Sequence, residues 1–233
     1  MTGRPLRAGE PRKGVSQPAA PIEWTVVIPV KGAPAAKSRL APAVPDDARA
    51  VLARAFALDT VAAALAAASV ARVLVVGDDP SLAGDAEFVP EPTGEGAKHG
   101  LLPAIRHAIA QARAERSVAV AVLLGDLPAL RPEELDQALV EAARHPLAFV
   151  RDADGTGTTL ATATPGVAFE PRFGTDSAAR HAAAGFVELT ASDLPGLTRD
   201  VDTVDGLETV LHHGVGDHTA EAVARLADRK GTP

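Results

Sequence analysis

The chain has no cysteine and no tyrosine, one tryptophan and one methionine, and aromatic residues make up only 3% of its 233 positions. Without cysteine there is neither a disulfide framework nor a thiolate metal site, which matches a reducing, cytoplasmic setting. No run of about 18 apolar residues occurs, so a membrane-spanning helix is not expected. Positive charge is also in short supply. There are 23 Lys and Arg against 30 Asp and Glu, a net charge of -7, which sets the molecule as a whole against nucleic acid. An acidic protein that binds anions needs a local basic cluster or metal ions. Lysine is the scarcest cation: Lys13, Lys31, Lys37, Lys98 and Lys230 are the full set, and two of them fall in one loop.

What is present is a large apolar fraction, 46%, enough for one well-buried α/β domain. Met1–Ile22 is rich in proline, glycine and isolated charges and reads as a disordered tail, with a single domain from residue 23 to 233. The first strand is expected at Trp24–Val30, followed by the loop Lys31–Leu40 and a helix from Asp46 to about Ala68. Strands Arg72–Gly77 and Glu87–Val89 come next, then a glycine-bearing loop and a helix over Leu101–Arg113. The stretch Val118–Leu130, VAVAVLLGDLPAL, is the centre of the pattern. Its unbroken apolar run, closed by Gly125-Asp126 and a proline, is what a strand buried on both faces of a parallel sheet looks like. A helix over Pro132–Arg144 and a strand Leu147–Arg151 complete an alternation that predicts a three-layer α/β/α, mostly parallel sheet. Beyond it the spacing predicts a strand Leu160–Thr164, a short helix Ala178–Ala184 and a strand Phe186–Leu189. A further strand closes at Asp200–Asp202, before helices over Val204–His212 and Thr219–Asp228.

Three groups of residues carry chemistry. In such sheets ligands bind beyond the carboxyl ends of the strands, where strand order reverses, and Asp126 is expected there. In extended backbone residues i and i+2 point the same way, about 6.5–7 Å apart, so Asp200 and Asp202 can approach one metal. Joined with Asp126 they make an Mg2+ site, since this ion takes oxygen ligands and keeps waters for phosphate oxygens to replace. The plainer alternatives are that Asp126 is a turn residue and that Asp202 caps the next helix. Second, Lys31, Lys37 and Arg39 put three cations just past the first strand, which suits a polyphosphate. Third, Gly155 and Gly157 let backbone amides approach an anion, and Gly174–Ser177 opens a helix with Arg180 in its first turn. Ordinary capping by Asp176 or Ser177 is the alternative.

The motifs VIPVK (Val27–Lys31), KSRL (Lys37–Leu40), GDLPAL (Gly125–Leu130), GTGT (Gly155–Thr158), FGTDSAARH (Phe173–His181) and DVDT (Asp200–Thr203) run in order along almost everything after the tail. Together they resemble the 2-phospholactate/phosphoenolpyruvate guanylyltransferase family, which acts in assembly of the deazaflavin coenzyme F-420. The composition, poor in lysine and rich in alanine and arginine, resembles that of actinobacterial members, whose acceptor is phosphoenolpyruvate. The resemblance implies a nucleotidyltransferase (glycosyltransferase-A-like) fold, GTP as donor and a downstream enzyme of coenzyme F-420 assembly as recipient of the product. It further implies that Asp126, Asp200 and Asp202 hold Mg2+. Thr158, Gly174 and Ser177 would bind the three-carbon phosphate, and Lys31 and Lys37 would face the phosphates. One departure stands out: relatives carry Leu-Asn where this chain has Leu101-Leu102. The same transfer to 2-phospholactate or 3-phosphoglycerate, or a non-catalytic role as a nucleotide sensor or partner-activating subunit, are the alternatives.

Overall fold

The computed structural model of the chain describes residues 22–31, 44–93, 98–114, 118–191 and 193–230. The apolar runs form seven strands: β1 (Trp24–Pro29), β2 (Val70–Gly77), β3 (Glu87–Pro90), β4 (Ala119–Leu123), β5 (Leu147–Arg151), β6 (Thr158–Ala163) and β7 (Val187–Glu188). They lie in one sheet in the order β3-β2-β1-β4-β6-β5-β7. Between and after them run α1 (Asp46–Ala66), α2 (Leu101–Ala112), α3 (Pro132–Ala142), α4 (Ser177–Ala183), α5 (Pro195–Thr198), α6 (Val204–His213) and α7 (Asp217–Lys230).

The two-residue period of the strands decides which face each side chain enters. Trp24, Val26 and Ile28 of β1 join Val73, Val75 and Leu123 in a core covered by α1 and α3. Val27, Leu74, Val76, Val120 and Val122 face the other way and pack with Ala104, Ile105 and Ala108 of α2 and Ala178 of α4. Every residue of β4 is buried, as its unbroken apolar run requires. A third cluster joins Leu52 and Phe56 of α1 to Val201, Val210 of α6 and Ala222 of α7. Ile22, the last residue assigned to the tail, packs against the first core; the rest of that tail lies outside the described residues.

β1 pairs in parallel with both β2 and β4. The chain therefore leaves β1 toward β2 and β3, then returns to lay β4 on the opposite side. Strand order reverses between β1 and β4, and a crevice opens beyond their carboxyl ends. β6 runs antiparallel to both β4 and β5, so its first residues lie beside the last residues of β4. That reversal carries the 152–158 loop to the same rim as the crevice.

The expected elements are present with small shifts of their ends, with one correction. Asp200–Asp202 does not end a strand. One backbone hydrogen bond, from Val201 N–H to the Asp126 carbonyl at 3.1 Å, ties this segment to the chain beyond β4, and one bond makes no ladder. The short helix α5 and the cap of α6 lie on either side of it in the chain.

Candidate metal and nucleotide site

Two glycines shape the floor of the crevice. A Cβ on Gly77 would lie 2.5 Å from the Val30 carbonyl oxygen, and one on Gly125 would lie 2.9 Å from a Val30 methyl. Only glycine at both positions lets the ends of β2 and β4 close on Val30, and that contact sets where Lys31 leaves the sheet.

Asp126 follows Gly125 and is fixed through its backbone neighbours. Leu124 N–H donates to the Thr159 carbonyl at 2.9 Å, and Leu127 N–H donates to the buried Thr60 hydroxyl at 3.0 Å. Across from it, Val201 turns its side chain fully into the third core. In extended backbone the residues on either side of a buried one face the opposite way, so Asp200 and Asp202 point to the crevice. Thr203, not Asp202, caps α6: its hydroxyl accepts from Gly206 N–H at 3.1 Å. The capping alternative for Asp202 is thereby removed.

The three carboxylates meet. Asp126, Asp200 and Asp202 each offer an oxygen within 4.8 Å of the others, and all three are half-buried. An ion holding oxygens at about 2.1 Å spaces opposed ligands about 4.2 Å apart, so this donor set fits a small, hard divalent cation. The cavity they line has a volume of about 310 Å3; Lys31 borders it, and Val30, Ala53, Ala57, Leu101 and Leu124 give it apolar walls. A second cavity of about 400 Å3 shares Asp200 and Asp202 with the first and extends toward Arg199, Thr203 and Thr209. Lys37 and Arg39 lie outside the described residues.

The 152–181 corner is organised differently. The amides of Thr156 and Gly157, expected to face a ligand anion, donate to the Asp152 carboxylate at 2.9 and 2.7 Å. The anion in that nest is the protein's own, and a Cβ on Gly157 would fall 2.2 Å from it. Thr158 is buried and its hydroxyl lies 3.0 Å from His181 Nδ1. His181 Nε2 accepts the Arg172 backbone N–H at 2.9 Å, so Nδ1 carries the ring proton and donates to Thr158. The ring stacks on Phe149 and meets Phe173 and Phe186 edge-on. Burial pushes the His181 pKa down to about 4, with a smaller contribution from the charges of Arg180 and Arg172. This histidine is a core residue, which its position in a helix-opening motif did not reveal; Phe173 and Phe186 flank it in the chain, and Phe149 comes from β5. Ser177 is buried at the start of α4, Gly174 is exposed with φ +112°, and Arg180 is exposed with its guanidinium 3.5 Å from the Thr175 carbonyl. Ala178 N–H donates to the Thr156 carbonyl at 3.1 Å, which binds this turn to the rim beside β4.

A mixed sheet whose order reverses at β1 and β4, with carboxylates from two distant segments gathered at that point, is the architecture of a nucleotidyltransferase. Solved structures share the fold. A protein from Desulfovibrio desulfuricans G20 described as a nucleotide-diphospho-sugar transferase matches with TM-score 0.60 at 19% identity, over 81% of this chain and 86% of its own. A nucleotidyl transferase from Methanothermobacter matches with TM-score 0.51 at 18% identity, over 82% and 97%. The family is given by sequence. Residues 24–228 match the family described as "Guanylyl transferase CofC like", and the chain belongs to it. Relatives named phosphoenolpyruvate guanylyltransferase are 49% identical in Streptomyces scabiei (88% of this chain, 98% of the relative) and 49% identical in Geodermatophilus obscurus (89% and 97%). One from Streptomyces coelicolor is 47% identical over 88% and 98%.

Proposed function

We propose that this guanylyltransferase moves GMP from GTP to the phosphate of phosphoenolpyruvate, releasing pyrophosphate, as a cytoplasmic step in coenzyme F-420 assembly. The observation that carries this reading is the meeting of Asp126 with Asp200 and Asp202 beside Lys31 at the strand-order reversal. A nucleotide sensor has no need of three converging carboxylates; a transfer between two polyanions does.

The acceptor phosphate oxygen attacks the α-phosphorus of GTP, the bond from that phosphorus to the bridging oxygen breaks, and pyrophosphate leaves. A phosphate monoester has its second pKa near about 6 and is already largely ionised at neutral pH, so no general base is required. The obstacle is repulsion between the reactants. Mg2+, held by Asp126, Asp200 and Asp202, would supply positive charge at the phosphates when bound. Lys31, with Lys37 and Arg39, would offset the triphosphate charge and hold it in line for displacement. The apolar wall formed by Ala53, Ala57 and Leu101 suits the nucleoside. Thr158, Gly174, Ser177 and Arg180 would border the acceptor from the rim beside β4. Thr158 keeps a role open there, because accepting from His181 leaves its own hydroxyl proton to donate elsewhere.

The deciding experiment is pyrophosphate release from each nucleoside triphosphate with phosphoenolpyruvate, 2-phospholactate or 3-phosphoglycerate, with the next enzyme of the pathway added to capture the product. GTP and phosphoenolpyruvate with Mg2+ are expected to give release that vanishes when either the acceptor or the ion is left out. Release that ignores the acceptor would overturn the reading.

A further inference from the structure

Thr60 lies well inside α1 and is fully buried, yet it carries a hydroxyl among apolar helix neighbours, Phe56, Val61 and Ala64. That hydroxyl makes two hydrogen bonds. It donates to the Phe56 carbonyl one turn back at 2.8 Å, the ordinary bond of a threonine inside a helix. It also accepts the Leu127 N–H at 3.0 Å, a bond spanning 67 positions that ends on the peptide unit leaving Asp126.

Both polar groups of that peptide unit are held. Its N–H goes to Thr60, and its C=O, that of Asp126, accepts the Val201 N–H at 3.1 Å. In a planar trans peptide the two groups point in opposite directions, so the unit is strung between α1 and the segment 200–202. The Val201 N–H in turn belongs to the peptide leaving Asp200. One rigid plane of atoms therefore links the backbone of one carboxylate to the backbone of the next. A valine would fill the same volume as Thr60, but only the hydroxyl answers the buried Leu127 amide. Without it that N–H has no acceptor, and the plane is free to turn and swing Asp126 relative to Asp200 and Asp202. Mg2+ demands near-ideal octahedral geometry, so it suffers more from such a displacement than an ion of looser coordination such as Ca2+.

Resting on the reading that Asp126, Asp200 and Asp202 hold the ion, we infer that Thr60 is a positioning residue for the metal site. Its hydroxyl fixes the Asp126–Leu127 peptide and, through it, the spacing of carboxylates from two segments of the chain. It acts from inside α1, behind the carboxylates, through backbone alone.

The test is titration calorimetry of the full chain with Mg2+ alone and with Ca2+ alone, for wild type, Thr60→Val, Thr60→Ser and Asp152→Ala. Thr60→Val keeps the shape and loses the hydroxyl. Its Kd for Mg2+ is expected to rise about tenfold, the lower end of what lost support around a metal ligand costs, and its Kd for Ca2+ by less. Thr60→Ser keeps the hydroxyl and should bind both ions as wild type does. Asp152→Ala, which strips other amides of their acceptor, controls for lost stability and should leave both affinities in place. An unchanged Mg2+ affinity in Thr60→Val, an equal loss for Ca2+, or the same loss in Thr60→Ser or Asp152→Ala each overturns the inference. If Thr60→Val does not fold, Thr60→Ala is read in its place by the same criteria. Failure of the underlying reading looks different: wild type itself would bind no Mg2+.

Discussion

The crevice beyond β1 and β4 and the corner formed by residues 152–181 sit on one rim, and the sequence marked the carboxylates of the first as a metal site and the glycine loop of the second as an anion site. They spend their polar groups in opposite ways. In the crevice, three carboxylates are turned toward one another by a buried valine and a threonine cap, which concentrates negative charge at one point. In the corner, the amides of the glycine loop are taken by Asp152 and the polar atoms of Thr158 and His181 by each other and by the Arg172 backbone. The difference separates a cluster of like charges from a loop whose amides the protein's own carboxylate already holds.

The sharpest way to break that contrast is Asp126→Asn, which keeps shape and removes charge. Turnover should fall by about two to three orders of magnitude, the size expected when a charge-stabilising group is lost, while the melting temperature hardly moves. Equal turnover with saturating Mg2+ and both substrates would end the assignment.

His181 should show the reverse: an effect on stability with the chemistry left alone. Its native pKa of about 4 lies below the ordinary value of 6.5, so the unfolded chain binds the extra proton first as pH drops. The stabilisation is complete above pH 6.5, declines below it and is gone once pH falls through about 4, a change of about 2–3 kcal/mol. Urea unfolding at pH 7 and pH 4.5 measures it, and His181→Phe should flatten that part of the profile.

The smallest expected effect sharpens the comparison at Asp152. Replacing it by Ala leaves the Thr156 and Gly157 amides without their acceptor and should cost about 1–2 kcal/mol of stability. Isothermal calorimetry with Mg2+ should give the same affinity as wild type. A lost metal signal in that variant would mean that the two regions are not separable.

Much of this was legible from residue order alone. The unbroken apolar run of β4 announced a buried central strand, and the Asp-Val-Asp alternation announced two carboxylates on one side with an inward residue between them. The expected strand at 200–202 failed because alternation reports which way side chains face, not whether a neighbouring backbone is there to pair with. Asp152 and His181 were missed for another reason: their partners are backbone groups at 156, 157 and 172, and backbone leaves no mark in residue identity. Asp59 is similar. Buried on α1, it accepts the His218 and Thr219 amides at the start of α7, a cap reaching across 159 positions.

β6 is the strand that runs against the grain of its neighbours, and that single reversal has a consequence for how such an enzyme can change. The strand ends that carry the carboxylates and the segment ahead of β6, which we propose borders the acceptor, arrive at one rim from opposite directions along the chain. Alterations in the loop can therefore retune which small molecule is modified without disturbing the strands that hold the reacting phosphates. On that reading, choice of partner and capacity for transfer are inherited on separate pieces of the polypeptide.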